Sequence, residues 1–572
     1  MSQIKNSKEV FGSESDNRTD PIFEERIQSV KNFFFSRNQK HWPCFSDPCF
    51  KNIIDFRKLN LNPAERISAY PQGKSLHDRI KREKDIPEKF TEPDGQVDDI
   101  LEFAATLSKD WENPASVENV ITMPCDPAIY GSMIGSLSNA NLVYREYSEM
   151  ADELEKCVVR QIASLAGYNI NRATGIFTQG GTFCNLYGYL LGIRKSLPET
   201  RQYGMGFVHD YRMINSMGGH YSNITNLSLL GIDIESKTIR IKITENNDID
   251  IEDLENQLSA CFQLNCTVPT IMLTMGTTDT FGVDKVKPVY DLRNRLCEKY
   301  EIKVKPHIHV DSAIGWTMLF FLDYDFDRNT MHINKKTVEG LKKNARRFRD
   351  LKYADSFTVD FHKWGYVPYT SSLIMFKDKD DLKHMENDPE NFGYFERDTQ
   401  GHTHLQSTIE CSRGATGAFG AYAALKYMGV EGYQVVIAHC LQNANYFRYR
   451  LSQLDFVKVM AIQNQGPSVG FRIYNPQVIT NAEDEYEYEF NIQNSVEYIE
   501  RLKKNDSWHR QVFLNRGKVG LFTSWVEFIA HTDYDEKGRI HKLPGEKAVF
   551  MNPVTTRKEI DIFIASICRG SI

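Results

Sequence analysis

A series of short, strongly apolar runs, separated by stretches with helical periodicity, constrains this chain more than any other feature. The runs Gly175–Phe177, Thr270–Thr274, His307–Val310, Ser356–Asp360 and Ser372–Phe376 alternate with helical patterns over Glu149–Leu165, Asn185–Lys195 and Val289–Tyr300. Strands separated by helices imply an α/β architecture, a mainly parallel sheet covered by helices on both faces. Parallel neighbours need a long crossover, and the link from Asp360 to Ser372 is too short to be one. Ser372–Phe376 is therefore expected to pair antiparallel with its predecessor.

The flanks differ in texture. Residues 1–120 are polar and punctuated by Pro, Asp and Asn, with helical patterns such as Val97–Leu107, and read as an N-terminal helical arm. After Gly429 a helix over Tyr433–Leu454 leads to strands at Phe456–Ala461 and Val469–Tyr474 and to a terminal helix after Pro553. At 572 residues the chain exceeds one simple core. The expected division is an N-terminal segment 1–120, a large domain 121–430 and a smaller C-terminal α+β domain 431–572.

Composition excludes more than it suggests. The apolar share of 41% and charged share of 25% are those of an ordinary soluble globular protein. A net charge of −7 gives no reason to expect a nucleic-acid partner. Basic pairs such as Lys342-Lys343 and Arg346-Arg347 read as a solvated helix face. Eleven cysteines without a CxxC pair fit reduced thiols. The start, Met1-Ser2-Gln3-Ile4-Lys5, lacks an apolar signal core, and runs such as Met318–Leu322 are too short to span a bilayer. A cytoplasmic protein without a membrane partner is expected. His307 and His309 form a His-x-His, but no Cys or carboxylate cluster completes a metal site, so no metal is expected.

The motifs that carry chemistry fall at strand C-terminal ends or just beyond, where open α/β sheets bind ligands. Ser356–Asp360 ends in Phe361-His362-Lys363-Trp364. A lysine at the mouth of a buried strand is expected to be desolvated, which favours the neutral amine that can form a Schiff base with an aldehyde. Thr178-Gln179-Gly180-Gly181-Thr182 lies between a strand and a helix and suits a phosphate, because glycines admit close approach and helix N–H groups face an anion. His220, in Gly219-His220-Tyr221-Ser222, can stack on an aromatic ring. Met275-Gly276-Thr277-Thr278 offers two hydroxyls, and Asp311 in His309-Val310-Asp311-Ser312-Ala313 offers a buried carboxylate that needs a cation or donors. A phosphate cradle, an imidazole, a buried carboxylate and a lysine together are the set that pyridoxal 5'-phosphate requires. An opposite charge beside the ring nitrogen shifts its pKa by about 1–3 units toward the protonated form.

In that order, these motifs resemble those of the group II pyridoxal-phosphate-dependent amino-acid decarboxylases over about residues 120–435. The resemblance implies a fold-type-I architecture with a seven-stranded sheet and a homodimer with its active site at the subunit interface. It implies that Lys363 carries the cofactor, Asp311 binds the ring nitrogen, and His220 and Ala313 cover the two ring faces. Gly181, Thr182 and His362 would hold the phosphate, with Asp360 and Thr277 or Thr278 nearby. Tyr394, in the stretch Lys383–Leu405, matches a tyrosine that protonates the substrate carbon.

The departures are as informative. Phe320–Lys352 is a charged insertion, Phe361 stands where many relatives have proline, and Trp316 replaces a usual glycine. The run Trp364–Tyr369 is similar to bacterial tyrosine decarboxylases, Asn185–Gly188 to glutamate and cysteine-sulfinate enzymes, and Ser412-Arg413-Gly414 to a turn of both tyrosine decarboxylases and sphingosine-phosphate lyases. The expected activity is decarboxylation of an L-amino acid, leaning to an aromatic one such as tyrosine. Acidic substrates and carbon–carbon cleavage are the alternatives. Arg472 is a candidate for binding a substrate carboxylate.

Overall fold

A computed structural model describes residues 10–31, 33–34, parts of 78–88, 109, 111–142, 145–148, 150–386, 404–491, 495–517, 519–534 and 540–569. At its centre is a seven-stranded sheet with spatial order β1-β7-β6-β5-β4-β2-β3. Its strands are β1 (Thr174–Thr178), β2 (Met213–Ser216), β3 (Thr238–Ile241), β4 (Thr270–Thr274), β5 (His307–Asp311), β6 (Ser356–Asp360) and β7 (Ser372–Phe376). Strands β2 to β6 pair in parallel, whereas β7 runs antiparallel to β6, as its short connection requires, and also to β1. Since β7 opposes both neighbours, β1 and β6 run the same way. The C-terminal ends of β1, β2, β4, β5 and β6 therefore share one edge.

All strands of this sheet except the edge strand β3 are buried along their whole length, as expected with helices on both faces. Helix α1 (Met150–Ala166) buries Ala151, Val158, Val159, Ile162, Ala163 and Ala166, an apolar stripe at helical spacing. Helix α2 (Gly181–Ser196) crosses β4 to β7. It can lie so close because Gly188 and Gly192 face the sheet: a Cβ on Gly188 would fall 2.4 Å from the His309 ring, and one on Gly192 2.1 Å from Thr270 Oγ1. Helix α3 (Val286–Lys299) precedes β5. Between β5 and β6 the chain forms a short 3₁₀ helix, Gly315–Phe321, and helix α4 (Lys335–Phe348). Helix α4 buries Leu341, Ala345 and Phe348, while Lys342 on another face pairs with Asp327 at 2.9 Å.

A second, antiparallel sheet of order β10-β11-β9-β8 contains β8 (Val457–Val459), β9 (Ser468–Ile473), β10 (Ser524–Tyr534) and β11 (Ile540–Val549). Helix α5 (Thr416–Ser452) leads to it and kinks at Gly429, whose φ of 60° is one that L side chains rarely adopt. Helices α6 (Val496–Arg516) and α7 (Arg557–Arg569) complete this part. Its core is aromatic, with Phe447 against Phe471, Phe550 and Phe563. The early residues Phe11 and Val117 join this core, and Val549 N–H donates to the Val117 carbonyl at 2.6 Å. Among the described residues no helix is long and apolar enough to cross a membrane.

Candidate active site

Side chains alternate between the two faces of a strand, so His307, His309 and Asp311 project to one face of β5, and Ser356, Thr358 and Asp360 to one face of β6. The parallel register places His309 opposite Ser356 and Asp311 opposite Thr358. The result is a polar strip across the two middle strands, roofed by α2. It ends at the strand termini in two carboxylates, Asp311 and Asp360. Both are buried, Asp311 to 7% and Asp360 to 1% exposure.

Asp311 is held on both oxygens. Oδ1 accepts from Ala313 N–H at 3.1 Å, and Oδ2 from Asn185 Nδ2 at 2.8 Å. Asp360 Oδ1 accepts from Ser372 Oγ at 2.5 Å, and Oδ2 faces Lys363 Nζ at 2.9 Å and His362 Nε2 at 3.6 Å. Burial would raise the Asp360 carboxyl, but Lys363, His362 and Ser372 together hold it below the usual range.

The lysine departs from the sequence expectation. Burial pulls its pKa down, but Asp360 and Asp311 outweigh burial and hold Lys363 above the ordinary lysine range. In this state it is a paired ammonium, not a neutral amine. The reason lies three residues upstream, where Asp360 occupies the last position of β6.

The strand–turn–helix expected around Gly180 and Gly181 is present. Gly180 caps α2 with φ 149°, and a Cβ there would meet nothing within 4 Å, so the space before the turn is open. Gly181 is different: a Cβ there would fall 2.6 Å from the Asp360 carboxylate. Thr182, in the first turn of α2, accepts from Asn226 Nδ2 through its carbonyl at 2.9 Å. His362 is buried, with Nδ1 3.0 Å from the Ser371 carbonyl. Burial pushes its pKa down, against the pull of Asp360.

His220 is half-buried at the same edge, and its pKa is lowered by burial against the opposing field of Asp311. Its Nδ1 accepts from Ser222 N–H at 3.2 Å and lies 2.8 Å from Ser222 Oγ. Of the two threonines, Thr277 is turned inward, its Oγ1 accepting from Gly282 N–H at 2.7 Å to close its own loop. Thr278 contributes a carbonyl to Ser468 Oγ at 2.8 Å. Tyr394 lies outside the described residues.

Asn185, Tyr369, Ser356 and Thr358 also belong to this site. Asn185 bridges Asp311 and Ser222, at 2.8 and 3.3 Å. Its partners lie far away in sequence, and beyond its place in the Asn185–Gly188 motif its signal is a polar residue on an otherwise buried helix face. Tyr369 is 55% exposed, its ring 3.9 Å from that of His362, and it lies in the fields of Lys363 and Asp360. Ser356 and Thr358 had a readable signal, polar residues at period two inside an apolar strand.

The candidate Arg472 proves structural, and so does Arg413 of the Ser-Arg-Gly turn. Arg472 is 1% exposed and pairs with Glu489 at 2.8 Å and Asp506 at 2.9 Å, so its two terminal nitrogens are committed within the second sheet's surroundings. Arg413 forms a buried two-pronged pair with Glu155, at 2.6 and 3.2 Å, and also donates to the Phe177 carbonyl at 3.0 Å. The Ser-Arg-Gly turn thus pins α1 to β1. The unusual aromatics form one packing unit beneath the lysine: the Trp316 and Phe361 rings meet edge-on at 4.8 Å, and Trp316 Nε1 donates to the Asp360 carbonyl at 3.2 Å.

Residues 77–474 match the family model described as the pyridoxal-dependent decarboxylase conserved domain. The chain is 24% identical over 398 residues to an L-tyrosine decarboxylase of Enterococcus faecium, covering 58% of this chain and 62% of that protein. The match thus spans less than two thirds of that relative. It is also 24% identical over 423 residues to an aspartate 1-decarboxylase of Aliivibrio fischeri, covering 69% of this chain and 71% of that one. The fold is similar to that of mouse CSAD crystallised in apo form, with a TM-score of 0.67 at 16% identity, over 87% of this chain and 92% of that one.

Proposed function

Because this chain belongs to the pyridoxal-dependent decarboxylase family, we propose that it removes carbon dioxide from an L-amino acid, with Lys363 at the reacting centre. The observation that carries this reading is the clustering of Lys363, Asp311, Asp360, His362 and His220 at one sheet edge. The fit to the family's cofactor rests on two features. The space before Gly180 is open at a helix N-terminus, which suits a phosphate. Asp311, held on both oxygens by Ala313 N–H and Asn185 Nδ2, presents a fixed carboxyl group to a ring nitrogen.

Lys363 would hold the aldehyde, Asp311 the ring nitrogen, and Gly181, Thr182 and His362 the phosphate, with Asp360 beside them. When bound, pyridoxal phosphate accepts the electron pair released as the carboxylate leaves. The chain's own residues do the rest. His220, whose Nδ1 accepts from Ser222 N–H, carries its proton on Nε2 in the neutral form and presents a donor to the pocket. Ala313 fixes one oxygen of Asp311 through its N–H and is our candidate for covering one face of the ring. The Lys363 ammonium, freed from Asp360, can give a proton at Nζ. Tyr394 is our candidate for returning a proton to the substrate carbon, and Thr277 or Thr278 for lining the pocket.

We favour an aromatic substrate such as tyrosine. Tyr221 and Tyr369, 76% and 55% exposed, lie against His220 and His362 and give the described rim an aromatic character. An acidic side chain would add charge near two carboxylates, and Arg472 is already committed. Carbon–carbon cleavage remains the alternative, although the Ser-Arg-Gly turn it shares holds a structural pin, Arg413 paired with Glu155. We also read the enzyme as a cytoplasmic homodimer of three parts, 1–120, 121–430 and 431–572. The Gly429 kink and the separate aromatic core support the last boundary.

Carbon dioxide release from a panel of L-amino acids tests the reading. Release from tyrosine or another aromatic amino acid, with glutamate and aspartate inert, is the expected outcome. Preference for an acidic substrate would overturn the aromatic assignment, and no release from any would overturn the activity.

A further inference from the structure

From the sequence, His307 and His309 read as a structural or cofactor-adjacent pair rather than as metal ligands. In the structure they form part of a buried chain of side chains that reaches the pocket. His307 Nε2 is 2.7 Å from Ser356 Oγ, and Ser356 Oγ is 2.7 Å from His309 Nδ1. His309 Nε2 is 3.1 Å from both Asn185 Oδ1 and Thr358 Oγ1. Asn185 Nδ2 donates to Asp311 Oδ2 at 2.8 Å and to Ser222 Oγ at 3.3 Å. Ser222 Oγ is in turn 2.8 Å from His220 Nδ1.

The direction of every bond follows by elimination. A carboxylate only accepts, so Asn185 must turn its NH₂ to Asp311 and its carbonyl to His309. That carbonyl only accepts, and Thr358 Oγ1 donates its one proton to it at 2.9 Å, so His309 Nε2 faces two acceptors and must carry a proton. Burial pushes the pKa of His309 well below the ordinary imidazole value, so it has one proton and its Nδ1 must accept from Ser356. The single hydroxyl proton of Ser356 is then committed, and His307 must donate to Ser356 from Nε2. His307, held to about 4 by burial, keeps a bare Nδ1, and that atom has no partner. An unpaired buried acceptor is tolerated better than an unpaired N–H. At the other end the second amide proton of Asn185 engages Ser222 Oγ. Ser222 therefore donates to His220 Nδ1, leaving the His220 proton on Nε2.

We propose that Asn185 is a positioning residue, fed by a one-way hydrogen-bond chain from His307 through Ser356 and His309, that fixes Asp311 as acceptor and His220 as Nε2–H donor. The inference rests on the reading that this pocket takes pyridoxal phosphate. Every donor in the chain points toward the pocket, so each bond polarises the next. The two groups that would meet the cofactor, the carboxylate and the imidazole, are set by the same amide.

The test has two arms. The first uses cofactor-free protein, deuterated and labelled with ¹⁵N-histidine, in two-bond ¹H–¹⁵N spectra. His307, His309 and His220 are all expected as Nε2–H tautomers, and an Nδ1–H signal from any of them overturns the chain. The second uses protein loaded with ¹⁵N-labelled pyridoxal phosphate. His309→Leu should move the ring-nitrogen shift toward the unprotonated value, and His309→Gln, whose amide replaces the Nε2–H, should restore it. Asn185→Asp, isosteric but without the donors, should weaken cofactor binding by on the order of ten-fold or more. Should His309→Leu not fold, Ser356→Ala removes one hydroxyl and should release the His309 tautomer. A ring-nitrogen shift unchanged in His309→Leu, or a tautomer unchanged in Ser356→Ala, overturns the proposal. Expected tautomers in a protein that takes up no pyridoxal phosphate would sustain the chain of bonds and overturn the functional reading instead.

Discussion

In the second sheet Glu546, fully buried, accepts from Arg516 at 2.6 and 3.1 Å, from Thr523 at 2.6 Å and from His509 at 3.2 Å. Around Lys363 the same kinds of charge are arranged differently. The lysine has one close anionic partner, Asp360, its side chain is 16% exposed, and a second carboxylate, Asp311, stands nearby. Saturated charges lock a structure, because removing any member strands the others in a medium that cannot solvate them. A charge with one partner and a path to solvent can exchange that partner for a ligand. The contrast separates buried charges that hold the fold from buried charges that are free to react.

The largest effect should come from Lys363→Ala. Turnover should fall by on the order of 10⁴ or more, and the visible absorbance of the loaded protein should vanish. Thermal unfolding of the cofactor-free protein should fall less than in Arg516→Leu, since Asp360 keeps Ser372 and His362 as partners. Arg516→Leu should do the opposite, costing about 3–5 kcal/mol in denaturant unfolding by stranding Glu546. A small loss there would erase the distinction between the two regions. Asp311→Asn should lower kcat by about 10²–10³-fold with little change in stability, removing one fixed charge from a preorganised site.

Acid sharpens the comparison. Arg516 and His509 overcome the burial of Glu546 and hold its carboxyl at about 2, below its usual 4.5. A carboxyl depressed in the folded state stabilises fully above its unfolded value and loses that contribution as pH falls through the folded one. Stability worth on the order of 3 kcal/mol should therefore fade between about pH 4.5 and 2, and Glu546→Gln should flatten that part of the profile. The smallest effect concerns the aromatic unit under the lysine. A double-mutant cycle on Trp316→Leu and Phe361→Leu should give a coupling of about 0.5–1.5 kcal/mol, and additivity would mean the two rings are independent.

The sequence made the central strands legible because each is a short apolar block with a polar end. Met213–Ser216 and Thr238–Ile241 were missed. The first is brief and closes on Asn215-Ser216, and the second is a half-exposed edge carrying Arg240. The hairpin of β10 and β11 escaped because its residues mix His, Asp, Glu and Lys with the apolar ones. At the site, residue types at strand ends were readable, but partnerships were not. Glu155 and Arg413 meet across 258 positions, and Asn185 and Asp311 across 126. The charge state of the lysine was misjudged for the opposite reason. Its partner Asp360 is close in sequence, and desolvation was weighed without it.

The connection that carries Lys363 runs from β6 to β7, two strands in the interior of the sheet. Both of its ends are stitched into one antiparallel ladder, from Asp360 opposite Ser372 to Ser356 opposite Phe376. Fraying at an edge cannot release it. Amide hydrogens of the strands flanking the lysine should therefore exchange with solvent only when the sheet itself opens, placing Lys363 beside the slowest-exchanging part of the molecule.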